Sequence, residues 1–318
     1  MQDKIIESLK KTDGYLSGEE ISRVFNISRA AIWKYIQELR ESGYDIIAVP
    51  HLGYKLISSP DRLFPSEIQF ELSTKIIGKK IVYRETVDST MDIAFNLGLE
   101  KSPEGTVVIA EGQTKGRGRL GRSWVSPKGK GIYLSIILRP ELLPTEAAKL
   151  TLLSAIALCD AIKNTTHLDA NIKWPNDVLI NGKKVAGVLT ELNAETDRVK
   201  FVVVGIGLNV NAKSDTLPAG ATSLRSEAKK QFSRVDVTKE VLRSIEHWYL
   251  RYQRQGFLPV AKRWKELSVT LNKRVRVVDP TGEIEGEAVD IDKDGGLMIR
   301  KDSGVLVKRM AGDVVQMR

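Results

Sequence analysis

Residues 173–192 read KWPNDVLINGKKVAGVLTEL, and VKFVVVGIGLNV follows at 199–210. Pro175 stops the strand that ANIKW (170–174) begins, because proline has no N–H to give a ladder. Asn181-Gly182 between two apolar runs is a strong hairpin signal, since both central residues of such a turn need positive φ. The run at 199–210 is apolar almost throughout, which predicts a strand buried on both faces or nearly so. Upstream, IVYRET (81–86), TVVIAE (106–111) and IYLSIILR (132–139) predict further strands. STMDIAFNLG (89–98) and a long segment over 144–164 predict helices. Strands joined by tight turns, with helices between some of them, predict an α+β domain. Its sheet is largely antiparallel or mixed, with helices packed on it.

On the N-terminal side, IIESLKK opens a helix, and GEEISRVF and SRAAIWKYIQELRESG give two more joined at Asn26-Ile27. Ile32, Ile36 and Leu39 recur at helical spacing, with Ser28 as N-cap and Gly43 as stop. Helices joined this tightly form a helix-turn-helix. IIAVP and YKLI around His51-Leu52-Gly53 then make a wing-like hairpin. The outward face of the second helix of the pair carries Arg29, Ala30, Trp33, Lys34 and Gln37. A DNA-binding module and a plain helical hairpin docked on a larger domain compete for this segment; the wing directly after the third helix favours the first. Ser58-Ser59-Pro60 reads as the linker. At the other end, 273–310 is short strands with turn signals, a small all-β barrel by pattern. The chain therefore divides into 1–60, 61–271 and 272–318.

A chain of 318 residues accommodates two or three such domains. No run of about 18 apolar residues is present, and the N-terminus lacks a signal peptide's apolar core. The single cysteine, Cys159, cannot pair within the chain, which predicts a reducing, cytoplasmic setting. The net charge of +9 favours polyanionic partners. Yet residues 1–60 hold eight basic and eight acidic side chains, while 225–276 hold fourteen and five, so the excess lies away from the helix-turn-helix. The basic segment over 236–271 reads as two helices with a solvated face.

Several chemistries drop out. GIGLNV (205–210) lacks the third glycine and the following helix of a dinucleotide fingerprint. GKGIYLS (129–135) has no phosphate-loop frame. DIDKDG (290–295) would need a glutamate where Lys301 stands to bind calcium. His51, His167 and His247 are scattered, and there is no serine elbow. An enzyme built on this chain would work by binding, orientation and charge stabilisation. Asp88-Ser89-Thr90 lies at a strand end before a helix, where it serves either as an ordinary N-cap or to receive polar ligand atoms. GRGRLGRSW (116–124) puts Arg117, Arg119 and Arg122 among glycines between two strands, a loop able to orient phosphates rather than a repetitive RNA-binding tract. Asn176 and Asp177 stand at a strand end, able to reach a sugar, a metal or an amine. Of Lys183 and Lys184, alternation turns one to each face.

Together DST (88–90), GQTKGRGRLGRSWVSPKGKGIYLS (112–135), KWPNDVLINGKKVAGVLTEL (173–192) and GIGLNVN (205–211) resemble the biotin–protein ligases. The N-terminal module matches their long form, in which ligase and biotin-operon repressor share a chain. The resemblance implies a class II synthetase/lipoate-ligase-like central domain and an SH3-like C-terminal barrel. It implies two steps: biotin and ATP give biotinyl-5′-AMP and pyrophosphate, and a lysine of the biotin carboxyl carrier protein then takes the biotinyl group. By motif position Ser89, Thr90, Met91, Gln113, Arg117, Gly118, Arg119 and Lys184 meet biotin or its carboxylate. Arg119, Arg122, Trp124, Asn176 and Asn209 meet the nucleotide, and Lys184, Arg119 and Asp177 carry the chemistry. Mg²⁺ is expected with ATP, near Asp177, with no separate protein metal site. Two positions depart from the family pattern: Met91 stands where a polar residue is usual, and Leu120 where some members carry another arginine.

The long form further implies that the adenylate favours a homodimer through the central sheet, which pairs two winged helices on operator DNA. Ser28, Arg29, Ala30, Trp33, Lys34, Gln37 and Lys55 form the DNA-facing set, and no membrane partner is expected. Three other readings stay open: a biotin-sensing transcription factor without catalysis, a lipoate–protein ligase, and an RNA-binding protein using the Arg-Gly stretch.

Overall fold

In the computed structural model the described residues are 1–279 and 282–317. The chain divides into two compact units, Met1–Glu71 and Leu72–Arg318.

In the first unit α1 (Gln2–Lys11), α2 (Gly18–Phe25) and α3 (Arg29–Glu41) precede a hairpin of β1 (Asp45–Val49) and β2 (Gly53–Ser58). Ser17 and Ser28 cap α2 and α3 by accepting from the amides of Glu20 and Ala31. Asn26 takes the left-handed conformation that ends α2, a role its short polar side chain tolerates. Ile5, Ile21, Ile32 and Ile36 meet in the core. A short helix, α4 (Pro65–Gln69), belongs to this unit because buried Glu67 accepts from Lys10 at 2.6 Å and from the Tyr44 hydroxyl at 2.7 Å. The compact unit thus runs past Ser58-Ser59-Pro60.

The second unit is built on a seven-stranded sheet ordered β3-β4-β5-β9-β8-β7-β6. Its elements are β3 (Ile81–Val87), α5 (Thr90–Leu99), β4 (Val107–Gln113), β5 (Gly131–Leu138), α6 (Ala148–Thr166), β6 (Asn171–Lys173), β7 (Asp177–Ile180), β8 (Lys183–Ala194) and β9 (Val199–Asn209). β3 and β4 pair in parallel across α5, and every other pairing is antiparallel. The sheet is mixed, as the spacing of strands and turns requires. The β7–β8 turn is Asn181-Gly182, with φ of 50° and 75°.

Met91 and Ala94 of α5 cover one sheet face over Phe201 and Val203. Side chains alternate along a strand, so Thr190, next to Leu189, faces the other side, where it meets Thr151 of α6. Most of α6 is buried, which places the main core between this helix, the sheet, and α8 (Arg234–Gln255) and α9 (Leu258–Leu267), which follow the short α7 (Leu224–Ala228). No helix among the described residues is long and apolar enough to cross a membrane.

The C-terminal elements β10 (Lys273–Asp279), β11 (Gly282–Ile291), β12 (Leu297–Arg300), β13 (Leu306–Arg309) and β14 (Asp313–Gln316) form an antiparallel sheet ordered β13-β12-β11-β10-β14. This matches the expected small β domain, with β13 and β14 as its ends. Pro280 and Thr281, in the turn signal between β10 and β11, lie outside the described residues. Trp174 ties this sheet to the central one, its amide donating to Thr270 Oγ1 and its indole to the Gly295 carbonyl.

Candidate active site

The cleft of the second unit begins where β3 runs into α5. Ser89 is the N-cap of α5, its hydroxyl accepting from the Met91 amide. Thr90 donates from its amide to Gln113 Oε1 at 2.9 Å and shares a hydroxyl contact with Ser135. Gln113 Nε2 in turn donates to Ser126 Oγ. This network fixes the amide's orientation and gives one end of the cleft a set of buried polar groups. Met91 is buried over Gly205, where a Cβ would come within 2.4 Å of its sulfur. Its side chain is therefore core, and its backbone N–H is taken by the Ser89 hydroxyl.

The arginine loop connects β4 to β5. Its start is anchored by Asp88, which accepts from the Thr114 hydroxyl and from Lys115; these bonds hold the carboxyl below its ordinary range. The loop closes on itself through Gly118 N–H to the Arg122 carbonyl at 2.7 Å and Trp124 N–H to the Gly116 carbonyl at 2.8 Å. Leu120 at the tip has φ of 54°, so a non-glycine residue adopts the left-handed region there. Arg117 pairs with Asp92 and Glu191, and Arg122 with Asp313. Arg119 reaches deepest: Nη1 donates to Asn176 Oδ1 at 2.8 Å and Nη2 to the Gly312 carbonyl at 3.3 Å. Burial pushes the Arg119 guanidinium down from the ordinary arginine value, against Asp313 and Asp177, which push it up.

β7 and β8 supply the opposite wall. Asn176 is held by donating to the Val188 carbonyl, and Asp177 Oδ1 lies 2.6 Å from Lys184 Nζ. The pairing shifts register between Val178 and Leu179, so that Ala186 and Lys184, but not Val185, have partners on β7. Such a bulge re-aims the side chains beyond it. Lys184 consequently lines the cleft, its ammonium 5.4 Å above the Trp124 ring, while Lys183 is exposed. The floor is glycine. Gly187 and Gly207 are register partners, and a Cβ on Gly207 would lie 2.4 Å from the indole of Trp124. The Trp124 Nε1–H is buried with no hydrogen-bond partner.

One cleft therefore gathers Ser89, Thr90, Met91, Gln113, Arg117, Gly118, Arg119, Arg122, Trp124, Asn176, Asp177 and Lys184. Asn209 is not among its lining residues: the side chain is buried and donates to the Thr222 carbonyl. The sequence reading missed Gly187, Gly205, Gly207 and Asp313, which also line it. For Gly205 and Gly207 a signal existed, because glycines at i and i+2 clear one face of a strand; Asp313 had none. A cation-rich wall beside a floor of glycines covered by the Trp124 indole and Met91, with a fixed amide at the far end, suits an extended ligand with a polar head and an anionic tail. Among the described residues no cluster of three or more His, Cys, Asp or Glu side chains forms a metal site.

On the first unit, Arg29, Ala30, Trp33 and Lys34 are exposed on α3 and Gln37 is half-buried. Ser28 is engaged as the cap. Lys55, on the wing strand β2, is half-buried with its ammonium 5.8 Å above the Tyr15 ring. These residues share one unit and occupy one helix and its adjoining wing.

Comparison with known proteins gives consistent matches along the chain. Residues 83–209 match the biotin/lipoate A/B protein ligase family, 2–55 a helix-turn-helix domain, and 270–316 the biotin protein ligase C-terminal domain. The bifunctional ligase/repressor BirA of Bacillus spizizenii is 41% identical over 90% of this chain and 89% of its own length. BirA of Escherichia coli is 32% identical over 90% and 88%. The biotin protein ligase of Aquifex aeolicus, solved in complex with biotin and ATP, superposes with a TM-score of 0.64 at 31% identity, covering 76% of this chain and 99% of that one.

Proposed function

We propose that this chain, which belongs to the family of bifunctional biotin–protein ligase/repressors, joins biotin to a lysine of a biotin carboxyl carrier protein at the expense of ATP. The observation that carries the reading is the polarity of the cleft. The Thr90–Gln113 network offers hydrogen bonds to the ureido head, and Arg117, Arg119 and Lys184 offer charge to the carboxylate and the α-phosphate. In the first step a biotin carboxylate oxygen attacks the α-phosphorus, the bond to the β-phosphate breaks, and pyrophosphate leaves. The obstacle is anion repulsion, which Lys184 and Arg119 offset, most strongly where charge builds up in transfer. Trp124, over its glycine floor, gives the adenine a face to stack on. The cleft's arginines already pair with Asp92, Glu191 and Asp313, so the ligand's anionic groups compete with these carboxylates for them. Mg²⁺ would be held chiefly by ATP phosphates, as this ion prefers, with Asp177 as the nearby carboxylate. No enzyme nucleophile is needed, and burial pushes the Cys159 thiol up and out of use.

The same chain acts as a repressor through its first unit. In a homodimer, α3 of each copy enters a half-site, with Arg29, Ala30, Trp33, Lys34 and Gln37 toward the bases and phosphates and Lys55 from the wing. The adenylate favours that dimer. Beyond Gly187 the outer edge of β8 has no partner strand among the described residues, which supports pairing through the central sheet. The functional division runs 1–60 for DNA, 61–271 for catalysis and 272–318 for the C-terminal domain, and the lone buried cysteine suits the cytoplasm. Biotin-dependent ATP–pyrophosphate exchange tests the ligase reading, with lipoate in parallel. Exchange with biotin supports it; exchange with lipoate alone moves the protein to the sister activity; exchange with neither removes the enzyme.

A further inference from the structure

We infer that a second cavity beside the cleft is the channel by which the accepting lysine side chain reaches the mixed anhydride, an inference that rests on the ligase reading. The cavity has a volume of about 180 Å³ and shares Arg119, Val188 and Leu189 with the cleft, so the guanidinium is their common wall. The rest of its lining is mostly alkyl: Ala148 and Leu152 of α6, Pro175 before β7, and Met310 and Ala311 between β13 and β14. Its two hydroxyls, Thr151 and Thr190, bond to each other at 2.8 Å. The Gly295 carbonyl is taken by the Trp174 indole. None of the lining residues is acidic.

That chemistry selects among the reaction's components. Adenine and ribose need hydrogen bonds along their edges, and a mostly alkyl lining whose two hydroxyls bond to each other offers them few. Pyrophosphate is the stronger rival, because the N-terminus of α6 and Arg119 both favour an anion. Yet it would sit against alanine, leucine, proline and methionine, which cannot replace its water. A lysine is an alkyl stem with one polar tip. With its stem along Ala148, Leu152 and Met310, the tip arrives where Arg119 meets Asn176. Apolar burial and the adjacent guanidinium both disfavour the ammonium, so the channel delivers the neutral amine that attack requires. Met310 and Ala311 are exposed, which puts the mouth of the channel on the surface. There a flexible thioether adapts to an incoming side chain.

In the step itself the amine nitrogen attacks the carbonyl carbon of biotinyl-AMP and the amide C–N bond forms. The C–O bond to phosphate breaks, with its electron pair leaving on AMP. The lysine ammonium releases two protons to water, one before attack and one from the tetrahedral adduct.

The test fills the channel without touching the cleft. Ala148→Leu projects from α6 into it; Ala311→Leu, at an exposed position, serves if the first variant does not fold. Four rates are measured for each: pyrophosphate exchange, and single-turnover transfer from preformed biotinyl-AMP to the carrier protein, to n-butylamine and to hydroxylamine. Transfer to the carrier and to n-butylamine is expected to fall about tenfold or more, a typical cost of misplacing a reactant, while exchange and hydroxylamine release stay within about twofold. A raised KM for pyrophosphate would make the cavity a phosphate site and overturn the inference. So would an equal slowing with hydroxylamine, or unchanged transfer in both folded variants. Absence of biotin-dependent exchange in the wild-type chain would remove the ligase reading itself, and the channel with it.

Discussion

The cleft and the face of α3 both present cations to an anionic partner, and they hold them by different means. Arg119 is half-buried, with hydrogen bonds to Asn176 and Gly312 from elements far apart in the chain. On α3, Arg29 comes only to 4.0 Å from Glu19, and Lys34 to 3.9 Å from Glu38, with both cations more than 70% exposed. Exposed pairs of this kind contribute about 0–1 kcal/mol, so these cations are free to turn to DNA at small cost. The cleft's cations are preorganised, which suits stabilising charge in a transition state. The surface cations stay mobile, which suits binding phosphates at adjustable positions.

The largest test of this contrast lies under the arginine loop, where Arg234 and Glu111 form a pair at 2.7 Å with 3% and 2% of their side chains exposed. Arg234→Ala leaves a buried carboxylate and should cost about 3–5 kcal/mol of stability, read as a lower melting temperature, whereas Arg29→Ala should leave melting nearly unchanged. Equal effects would break the comparison. Next, Lys184→Ala should lower the exchange rate by about 10²–10³-fold with the fold intact, the loss typical of one preorganised charge-stabilising group. Gly207→Ala pushes a methyl group into the Trp124 indole. It should weaken ATP binding by about 1–3 kcal/mol through overpacking, visible as a raised KM for ATP and a shifted tryptophan emission. Lys34→Ala should leave exchange alone and reduce the slope of log affinity for operator against log salt by about one.

The smallest effect concerns Glu146, just ahead of α6. The Lys149 ammonium at 2.6 Å holds its carboxyl below the ordinary value. Its stabilisation is present above the unfolded carboxylate pKa and is lost as pH falls through the lower folded value. Glu146→Gln should therefore flatten the acid limb of the stability profile by under about 1 kcal/mol, checked by thermal melts between neutral and acid pH.

Much was legible because it is local. Asn181-Gly182 makes a hairpin wherever it falls between apolar runs, since its φ values are its own. Ser28 caps a helix and Asn26 ends one for the same reason. The alternation of apolar residues separated the winged module from the mixed sheet, and the glycine-arginine loop fell between two strands as its composition requires. Other features needed contacts between distant residues. Alternation showed that one of Lys183 and Lys184 faces inward, but the bulge at Val185 decides which. Asp313 meets Arg122 only because the C-terminal sheet packs beside the arginine loop. Asn209, by contrast, sits in a motif yet is turned to Thr222. Glu67 draws α4 into the first unit through Lys10 and Tyr44, which no reading of Ser58-Ser59-Pro60 contains. Backbone conformation and periodicity are set by neighbours a few residues apart, so the sequence alone determined the elements and the motifs. Which side chains meet across a glycine floor, and which cavity lies behind Arg119, depends on how those elements pack, and that only the tertiary structure decided.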